Sequence, residues 1–335
     1  KPYGKKNLLL KRAAESEIYV LLIALVVLCV IVCFLSENFL SGKNIMNVLR
    51  QTSLTAIAGF GLILIILSGE IDLSIGSQQA IAGIVAITVF NGTHSLILAF
   101  LATMLAAVIV GAINGFLVAT LKINSMIATL ATMAVWRGVA MVSTNAISIQ
   151  ANDDSFQSLA TGYVGPIAIT VVIAMIFFII EYFVLNHTVF GRNLYAIGDN
   201  ADAARLAGLP VNKVKMLVFI LGSMMTMTSG FLLAGRIDSA QPTAGTGFEM
   251  IVIASVILGG LSLAGGIGTI QGALIGMLIL GVLQNGLTLL DVSSFWQEIT
   301  RGLVIIIAVY SDIVRKRNMT KRMANDQKQK PAVRV

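Results

Sequence analysis

Residues Met250 to Leu290 read MIVIASVILGGLSLAGGIGTIQGALIGMLILGVLQNGLTLL and contain no charged side chain over 41 positions. As a single helix this stretch would be about 60 Å long, roughly twice the thickness of the hydrocarbon core of a bilayer. The stretch must therefore fold back on itself, and the glycine-rich segment Gly259 to Gly268 is the only place for the break. Two membrane spans that meet at a glycine-rich reversal are predicted.

The whole chain has the composition of an integral membrane protein. Its 335 residues are 57% hydrophobic and 12% charged, and this is more apolar surface than a water-soluble core of that size can hide. The net charge of +7 comes from basic residues in the tails and in one loop, so a nucleic-acid partner is not indicated. Cys29 and Cys33 lie four apart in an apolar run and are interpreted as small apolar residues, not as a disulfide or a metal pair.

Uncharged stretches long enough to cross a membrane recur along the chain, and we predict an all-α membrane protein with about ten transmembrane helices. The predicted spans lie at about residues 18–35, 51–68, 75–90, 96–121, 123–142, 163–185, 216–234, two within 250–290, and 295–311. With the N-terminus inside, 18 of the 23 Lys and Arg residues fall on the cytoplasmic side, as the positive-inside rule requires. Both termini are therefore predicted to be cytoplasmic.

This topology divides the chain into three parts. Residues 1–17 form a cytoplasmic N-terminal segment, residues 18–314 form the transmembrane domain, and residues 315–335 form a basic cytoplasmic tail that we expect to be disordered. The fourth span contains Gly111-Ala-Ile-Asn-Gly115, a spacing of small residues that allows a neighbouring helix to approach closely.

A polar island interrupts the apolar pattern between spans six and seven and reads FGRNLYAIGDNADAARLAGLPVNKVK from Phe190 to Lys215. Its centre predicts one short helix that is capped by Asn200 and stopped by Gly208, with Pro210 beyond it. A short alanine-rich helix with little apolar surface suits a groove on another protein, so the loop 190–213 is a candidate coupling element. An ordinary connecting loop is the alternative.

Several polar side chains fall within predicted spans, where each costs a few kcal/mol unless it faces protein or water. These residues are Asn114, Arg137, Glu181, Gln284, Asn285, Glu298 and Arg301. They either line a polar translocation path or snorkel and hydrogen-bond between helices. The uncharged members Asn114, Gln284 and Asn285 would suit a neutral, polyhydroxylated solute.

Glu70 and Asp72 lie at a glycine-flanked break between spans two and three. Irregular backbone at such a break often lines a cavity, so the two carboxylates could form the cation site of an ion-coupled carrier. The alternative is that Asp72 caps the following helix and stabilises the turn.

The sequence contains no phosphate-binding G-x-x-x-x-G-K-[ST] loop, no H-E-x-x-H motif and no nucleophile elbow. Its two histidines, His94 and His187, lie at predicted span ends. We therefore do not expect the chain to be an enzyme by itself.

Four segments in order resemble the membrane permeases of bacterial ABC sugar importers. They are Ile66-Leu-Ser-Gly-Glu-Ile-Asp-Leu-Ser-Ile-Gly76, Gly191 to Gly208, Ser239-Ala-Gln-Pro-Thr-Ala-Gly-Thr-Gly247 and Leu258-Gly-Gly-Leu-Ser-Leu-Ala-Gly-Gly266. The resemblance covers about residues 39–312 and is strongest to the ribose permeases and their monosaccharide relatives, within a group that includes branched-chain amino acid permeases.

This resemblance implies a subunit of the bacterial inner membrane that forms a pore with a second, identical copy of itself. Its other implied partners are a cytoplasmic ATPase, which binds ATP and Mg²⁺, and an extracytoplasmic sugar-binding protein, so that the chain itself holds no cofactor or metal. The imported solute would be a monosaccharide such as ribose. An ion-coupled carrier, or a permease for another sugar, an autoinducer or a branched-chain amino acid, remains the alternative.

The resemblance also implies roles for matching positions. The ATPase contact would be made by Gly191, Arg192, Gly198, Asp199, Asn200, Ala203, Ala204 and Gly208, and a structural motif by Gly69, Asp72, Ser74 and Gly76. The segment from Ser239 to Gly247 would lie near the outer mouth of the pore.

Overall fold

The computed structural model describes the backbone of residues 3–307 and 309–310 and the side chains of residues 18–307 and 309–310. The helices, in chain order, are α1 (Tyr3–Leu35), α2 (Gly42–Leu67), α3 (Ile75–Thr93), α4 (Leu96–Gly115), α5 (Ser125–Thr144), α6 (Ser155–Thr161), α7 (Ile169–His187), α8 (Val189–Asp199), α9 (Ala201–Leu206), α10 (Val211–Ile237), α11 (Phe248–Leu258), α12 (Ile270–Leu289) and α13 (294–307 and 309–310). A π-helix, Phe116–Thr120, extends α4.

Short strands connect helices in two places. β1 (Ile149–Gln150) pairs antiparallel with β4 (Ser239–Ala240), with Ile149 opposite Ala240. β2 (Tyr163–Val164) pairs antiparallel with β3 (Ile167–Ala168). The chain is therefore an all-α membrane protein in which strand pairing only ties loops together.

Seven helices in the described part of the chain are long and apolar enough to cross a membrane, namely α1 from Ile18, α2, α4 with the π-helix, α5, α7, α10 and α12. Helices also lie at the other three predicted positions. However, α3 carries Gln78 and Gln79 near its start, α11 has only 11 residues, and α13 leads into residues outside the description. The described helices thus support a multi-pass membrane protein with seven candidate spans.

Two predicted span boundaries differ from the observed ones by six residues or more. The sixth span begins at Ile169, not at Tyr163, because Tyr163 to Ala168 form a hairpin around Gly165, whose φ is +62°. The second span begins at Gly42, where the Ser41 side chain accepts a hydrogen bond from the Asn44 amide. The predicted disorder of 315–335 lies outside the described residues.

The predicted reversal in the long uncharged stretch is confirmed. α11 ends at Leu258 and α12 begins at Ile270. The two helices pack backbone to backbone, because a Cβ atom on Gly272 would overlap the carbonyl oxygen of Gly259 and one on Gly276 would overlap that of Ser255. Glycine at these positions allows α12 to return along α11.

The centre of the core is the antiparallel crossing of α2 and α10. A Cβ on Gly61 would lie 2.7 Å from the carbonyl oxygen of Gly222, and the Ser229 hydroxyl donates to the Leu54 carbonyl at 2.8 Å. The predicted small-residue pattern in α4 also packs on α10, where Gly111 faces the backbone of Ile220. Close helix approach through glycine therefore organises the bundle.

The α4–α10 contact predicts that Gly111→Ala destabilises the protein. A Cβ at this position would lie 2.6 Å from the Ile220 Cα, and such overpacking costs about 1–3 kcal/mol. We expect the unfolding temperature of the purified protein in detergent, followed by circular dichroism, to fall by several degrees. Gly138→Ala is the control, since no atom lies within 4 Å of its Cβ position. Equal unfolding temperatures for the two variants would contradict the packing argument.

Candidate functional site

The predicted coupling segment folds as two helices rather than one. α8 begins at Val189, with the Thr188 hydroxyl accepting from the Gly191 amide at 3.2 Å. α9 follows, and the Asn200 side chain accepts from the amides of Asp202 at 3.1 Å and Ala203 at 2.9 Å. The predicted cap at Asn200 is confirmed, whereas the preceding helix α8 was not predicted.

The end of α9 also matches the prediction. Gly208 has a φ of +84°, a left-handed conformation that glycine adopts without steric cost. The Leu209 amide donates to the Ala204 carbonyl at 3.0 Å and closes the last turn. α9 is therefore a capped, self-contained helix.

Three glycine-containing segments meet directly beneath α8, and we call their contact the glycine junction. It consists of Leu67 to Gly69 after α2, Gly198 and Asp199 at the end of α8, and Gly265 and Gly266 in the α11–α12 loop. The Gly266 amide donates to the Leu67 carbonyl at 3.1 Å. A Cβ on Gly198 would overlap that same carbonyl, and one on Gly265 would lie 2.6 Å from the Gly69 Cα.

Tyr195 holds α8 to the same loop, since its hydroxyl donates to the Gly268 carbonyl at 3.0 Å. Burial, with a smaller contribution from Glu181, raises the pKa of Tyr195 to about 12. The hydroxyl is therefore protonated, and able to donate, at any physiological pH.

Some predicted contact residues are not on the surface. Gly191 and Ala204 are buried and Gly198 is half-buried, so these positions serve close packing. Leu206, which the sequence argument missed, is 91% exposed at the end of α9. The sequence signal for this exposed residue is an apolar side chain at the end of an otherwise polar helix. The exposed predicted residues are Arg192, Asp199, Asn200, Ala203 and Gly208.

Asp72 is the centre of a buried polar cluster at the break between α2 and α3. Its carboxylate accepts from the Ser74 amide at 2.7 Å and the Ser74 hydroxyl at 2.6 Å. It also accepts from the side-chain amides of Gln78 at 3.0 Å and Asn114 at 3.4 Å. Asp72 therefore stabilises the start of α3, as the capping alternative predicts, and Asn114 belongs to this cluster.

Glu70 does not join that cluster. Its carboxylate forms an ion pair with Lys215 on α10, and both side chains are about one-seventh exposed, at 15% and 13%. The structure thus separates the two acidic residues that the sequence places together.

The three uncharged residues predicted to line a path also lie apart. Asn285 pairs reciprocally with Asn44 through two amide hydrogen bonds of 3.0 and 2.8 Å. Gln284 instead lines a groove between α11, α12 and α13, together with Gln297, Thr300 and Arg301. Of the three residues, only Gln284 faces an open surface feature.

The charged residues within predicted spans have different surroundings. Arg137 donates to the carbonyls of Pro242 and Ala244 at 2.7 Å each. Arg301 lies 4.0 Å from Glu298, one turn earlier on α13. Glu181 on α7 is buried, and neither of its carboxylate oxygens has a hydrogen-bond partner among the described residues.

The segment that follows β4 contacts the start of α3. The backbone of Gly245 packs directly on the backbone of Gly76, and the Glu249 carboxylate lies beside the same glycine. The two non-helical breaks, 68–74 and 238–247, therefore lead to the same place. The sequence contains a signal for this contact between the two breaks, because the similar tetrapeptides Gly69-Glu-Ile-Asp72 and Gly235-Arg-Ile-Asp238 precede α3 and α11.

Most of the chain is similar to known membrane permeases. Residues 44–309 match the family described as branched-chain amino acid transport system / permease component. The chain is 44% identical over 295 residues to the ribose import permease protein RbsC of Escherichia coli K12, covering 87% of this chain and 92% of that protein. It is 42% identical over 294 residues to the Haemophilus influenzae protein of the same name, covering 87% and 91%.

The L-arabinose transport system permease protein AraH of Escherichia coli K12 is 38% identical over 298 residues, covering 88% of this chain and 90% of that protein. No solved structure matches the chain. Within the described residues, no group of three or more His, Cys, Asp or Glu side chains could hold a metal ion.

The Asp72 cluster predicts that Asp72→Asn destabilises the protein by about 3 kcal/mol, because the amide nitrogen that replaces one carboxylate oxygen would face two of the four donors, those of Gln78 and Asn114. The measurement is the unfolding temperature in detergent by circular dichroism. Asp202→Asn makes the same chemical change at a side chain that is 87% exposed, and should leave the temperature unchanged. If both variants unfold like the parent, Asp72 is not the structural centre of this break.

Proposed function

The chain belongs to the family of branched-chain amino acid transport system permease components, and from this premise we propose that it is the transmembrane subunit of an ATP-driven importer of ribose. Relatives named as ribose import permeases, 42–44% identical over about nine-tenths of their length, support this substrate. The arabinose permease relative is less similar, at 38%. The energy source would be ATP hydrolysed with Mg²⁺ by a separate cytoplasmic ATPase.

The proposed topology has ten spans with both termini in the cytoplasm of a bacterium and the protein in its inner membrane. It is supported by helices at each of the ten predicted positions and by the excess of Lys and Arg on the predicted inner side. Residues 18–314 would form the transmembrane domain, and a second copy of the chain would complete the pore. A sugar-binding protein would deliver ribose at the outer face.

The observation that carries the coupling role is α9 together with its support. α9 projects an exposed leucine from the cytoplasmic end of the bundle, and the glycine junction joins α8 rigidly to the ends of α2 and of the α11–α12 loop. Movement of a docked ATPase would then be passed to these helices as a rigid-body motion. Residues larger than glycine at the junction would separate the backbones, so they would transmit this motion less directly.

The ion-coupled alternative receives little support from the contacts of its two acidic residues. Glu70 is neutralised by Lys215, and all four hydrogen bonds to Asp72 come from neighbouring protein donors. A coupling cation would have to displace these partners.

The proposed function is tested in proteoliposomes that hold this chain with its cytoplasmic ATPase. Ribose-loaded binding protein should stimulate both ATP hydrolysis and ribose uptake, whereas arabinose-loaded binding protein should not. Uptake that follows an ion gradient without any ATPase would contradict the proposal.

The exposed end of α9 predicts that Leu206→Ser weakens binding of the ATPase. Burying a leucine at an interface contributes about 2 kcal/mol, so the dissociation constant should rise about thirtyfold. The unfolding temperature should not change, because the side chain contacts little of its own chain. Binding of the purified ATPase to the chain in nanodiscs measures the effect.

The matched control is Ile147→Ser. It removes an apolar side chain that is 68% exposed and lies just beyond the C-terminal end of α5. It should bind the ATPase like the parent. Unchanged ATPase binding by Leu206→Ser would exclude α9 as the docking element.

A further inference from the structure

The segment from Gln241 to Gly247 is non-helical backbone that lies deep in the bundle. Arg137, which holds this segment, is twelve residues beyond the first residue of α5, or about 18 Å along that helix. Since the hydrocarbon core is roughly 30 Å thick, the segment lies near the middle of the membrane.

The inner side of this segment contacts other parts of the protein. One guanidinium nitrogen of Arg137 donates to the carbonyls of both Pro242 and Ala244 at 2.7 Å. Gly245 lies on the backbone of Gly76 at the start of α3. An arginine is costly at this depth, and here it supplies the donors that water cannot supply to irregular backbone.

The outer side of the segment is polar and open in the single chain. The side chains of Gln241, Thr243 and Thr246 are exposed. Beside it lies the groove of α11, α12 and α13, where Arg301 comes within 3.9 Å of the Cβ position of Gly247. The groove is lined by the polar side chains of Gln284, Gln297, Thr300 and Arg301 and by the aliphatic side chains of Ile251, Leu280, Leu283 and Leu287. Irregular polar backbone cannot face lipid at this depth, so the surface must face water or another protein.

The side chains distinguish these two possibilities. Interfaces between membrane helices are rich in small residues that let backbones approach, whereas the polar members of this surface are long amides, threonine hydroxyls and a guanidinium group, beside the aliphatic side chains of the groove. Such groups form hydrogen bonds with the hydroxyls of a neutral sugar and require no charge on it. They also match a water-filled path better than a packed interface.

We propose that the outer face of segment 241–247, together with the groove of α12 and α13, forms the wall along which a neutral polyhydroxylated sugar crosses the middle of the membrane. Arg137 is a positioning residue that holds the segment in place. The proposal rests on the importer function proposed above and names the surface of this chain that the sugar meets.

Cysteine accessibility tests the wall. Thr246→Cys is introduced into a parent in which Cys29 and Cys33 are serine and ribose uptake is retained, and the reconstituted importer is treated with a charged, membrane-impermeant methanethiosulfonate. We expect rapid labelling and at least a tenfold loss of ATP-driven ribose uptake. Leu105→Cys on α4, where the leucine is 64% exposed on an apolar face, should remain unlabelled.

Failure of the Thr246→Cys variant to react overturns the proposal. If that unreactive variant forms a disulfide-linked dimer on oxidation, the surface belongs to the contact between two permease copies. If it does neither, the surface packs against protein away from the contact between the two copies.

The role of Arg137 is tested by the ratio of ATP hydrolysed to ribose imported, not by the amount of folded protein obtained. Arg137→Gln should raise the number of ATP molecules hydrolysed per ribose imported at least fivefold, because the segment is no longer held while the ATPase still docks on α9. Arg50→Gln is the matched control. Arg50 likewise donates to a backbone carbonyl, that of Thr161 at the end of α6, at 2.8 Å. It lies outside segment 241–247.

An unchanged ratio of ATP to ribose in the Arg137→Gln variant would refute the positioning role. These failures are distinct from failure of the proposed function, in which the unaltered chain itself would show no ATP-driven ribose uptake.

Discussion

Every backbone amide and carbonyl inside a membrane needs a partner from the protein, because lipid offers none. Continuous helices meet this requirement by themselves, but this chain interrupts two helices within the bundle. After α2, the amides of Ile71 and Leu73 donate to the hydroxyls of Ser125 and Thr129 at 3.2 and 3.1 Å. After α10, Arg137 serves the carbonyls of Pro242 and Ala244. One helix, α5, therefore supplies the missing partners to both breaks.

The breaks matter because they bring irregular backbone to the places where a transporter has to work. The first break begins at the glycine junction beside α8, and the second reaches the start of α3 through Gly245 and Gly76. α11 lies between the second break and the α11–α12 loop of the junction, so its 11 residues link the two places through a single rigid element. In the proposed importer, motions that begin at α9 would reach the middle of the membrane by this short connection, as alternating access requires.

Glycine makes these contacts possible. At Gly61 of the α2–α10 crossing and at Gly198, Gly265 and Gly266 of the junction, the nearest atom to a would-be Cβ belongs to another backbone, so no side chain could move away to make room. Packed backbones of this kind transmit displacement with little loss, because protein interiors are close to solid density. The same glycines that appear in the sequence as ordinary loop residues therefore determine how rigidly the coupling segment is attached.

Much of this organisation could be predicted from the sequence, and the failures have a common cause. Hydropathy located the spans, the forty-one uncharged residues required the reversal at Gly259 to Gly268, and Asn200 and Gly208 marked the ends of α9. The errors concern contacts between distant residues. Asn114, Gln284 and Asn285 share a chemical character but point to three different partners, and Glu70 and Asp72 are two residues apart yet bind different helices.

The sequence by itself determined that the chain is a multi-pass helical membrane protein, because apolar length and helix caps are local properties that a linear pattern records, and four motifs in order identified its resemblance to the permease family. Only the tertiary structure decided that Arg137 would hold segment 241–247, that Gly198 would meet Leu67 and Gly266, and that Leu206 would be left exposed. Those outcomes depend on how each helix is rotated and where it crosses its neighbours, and that geometry follows from the packing of all the helices together.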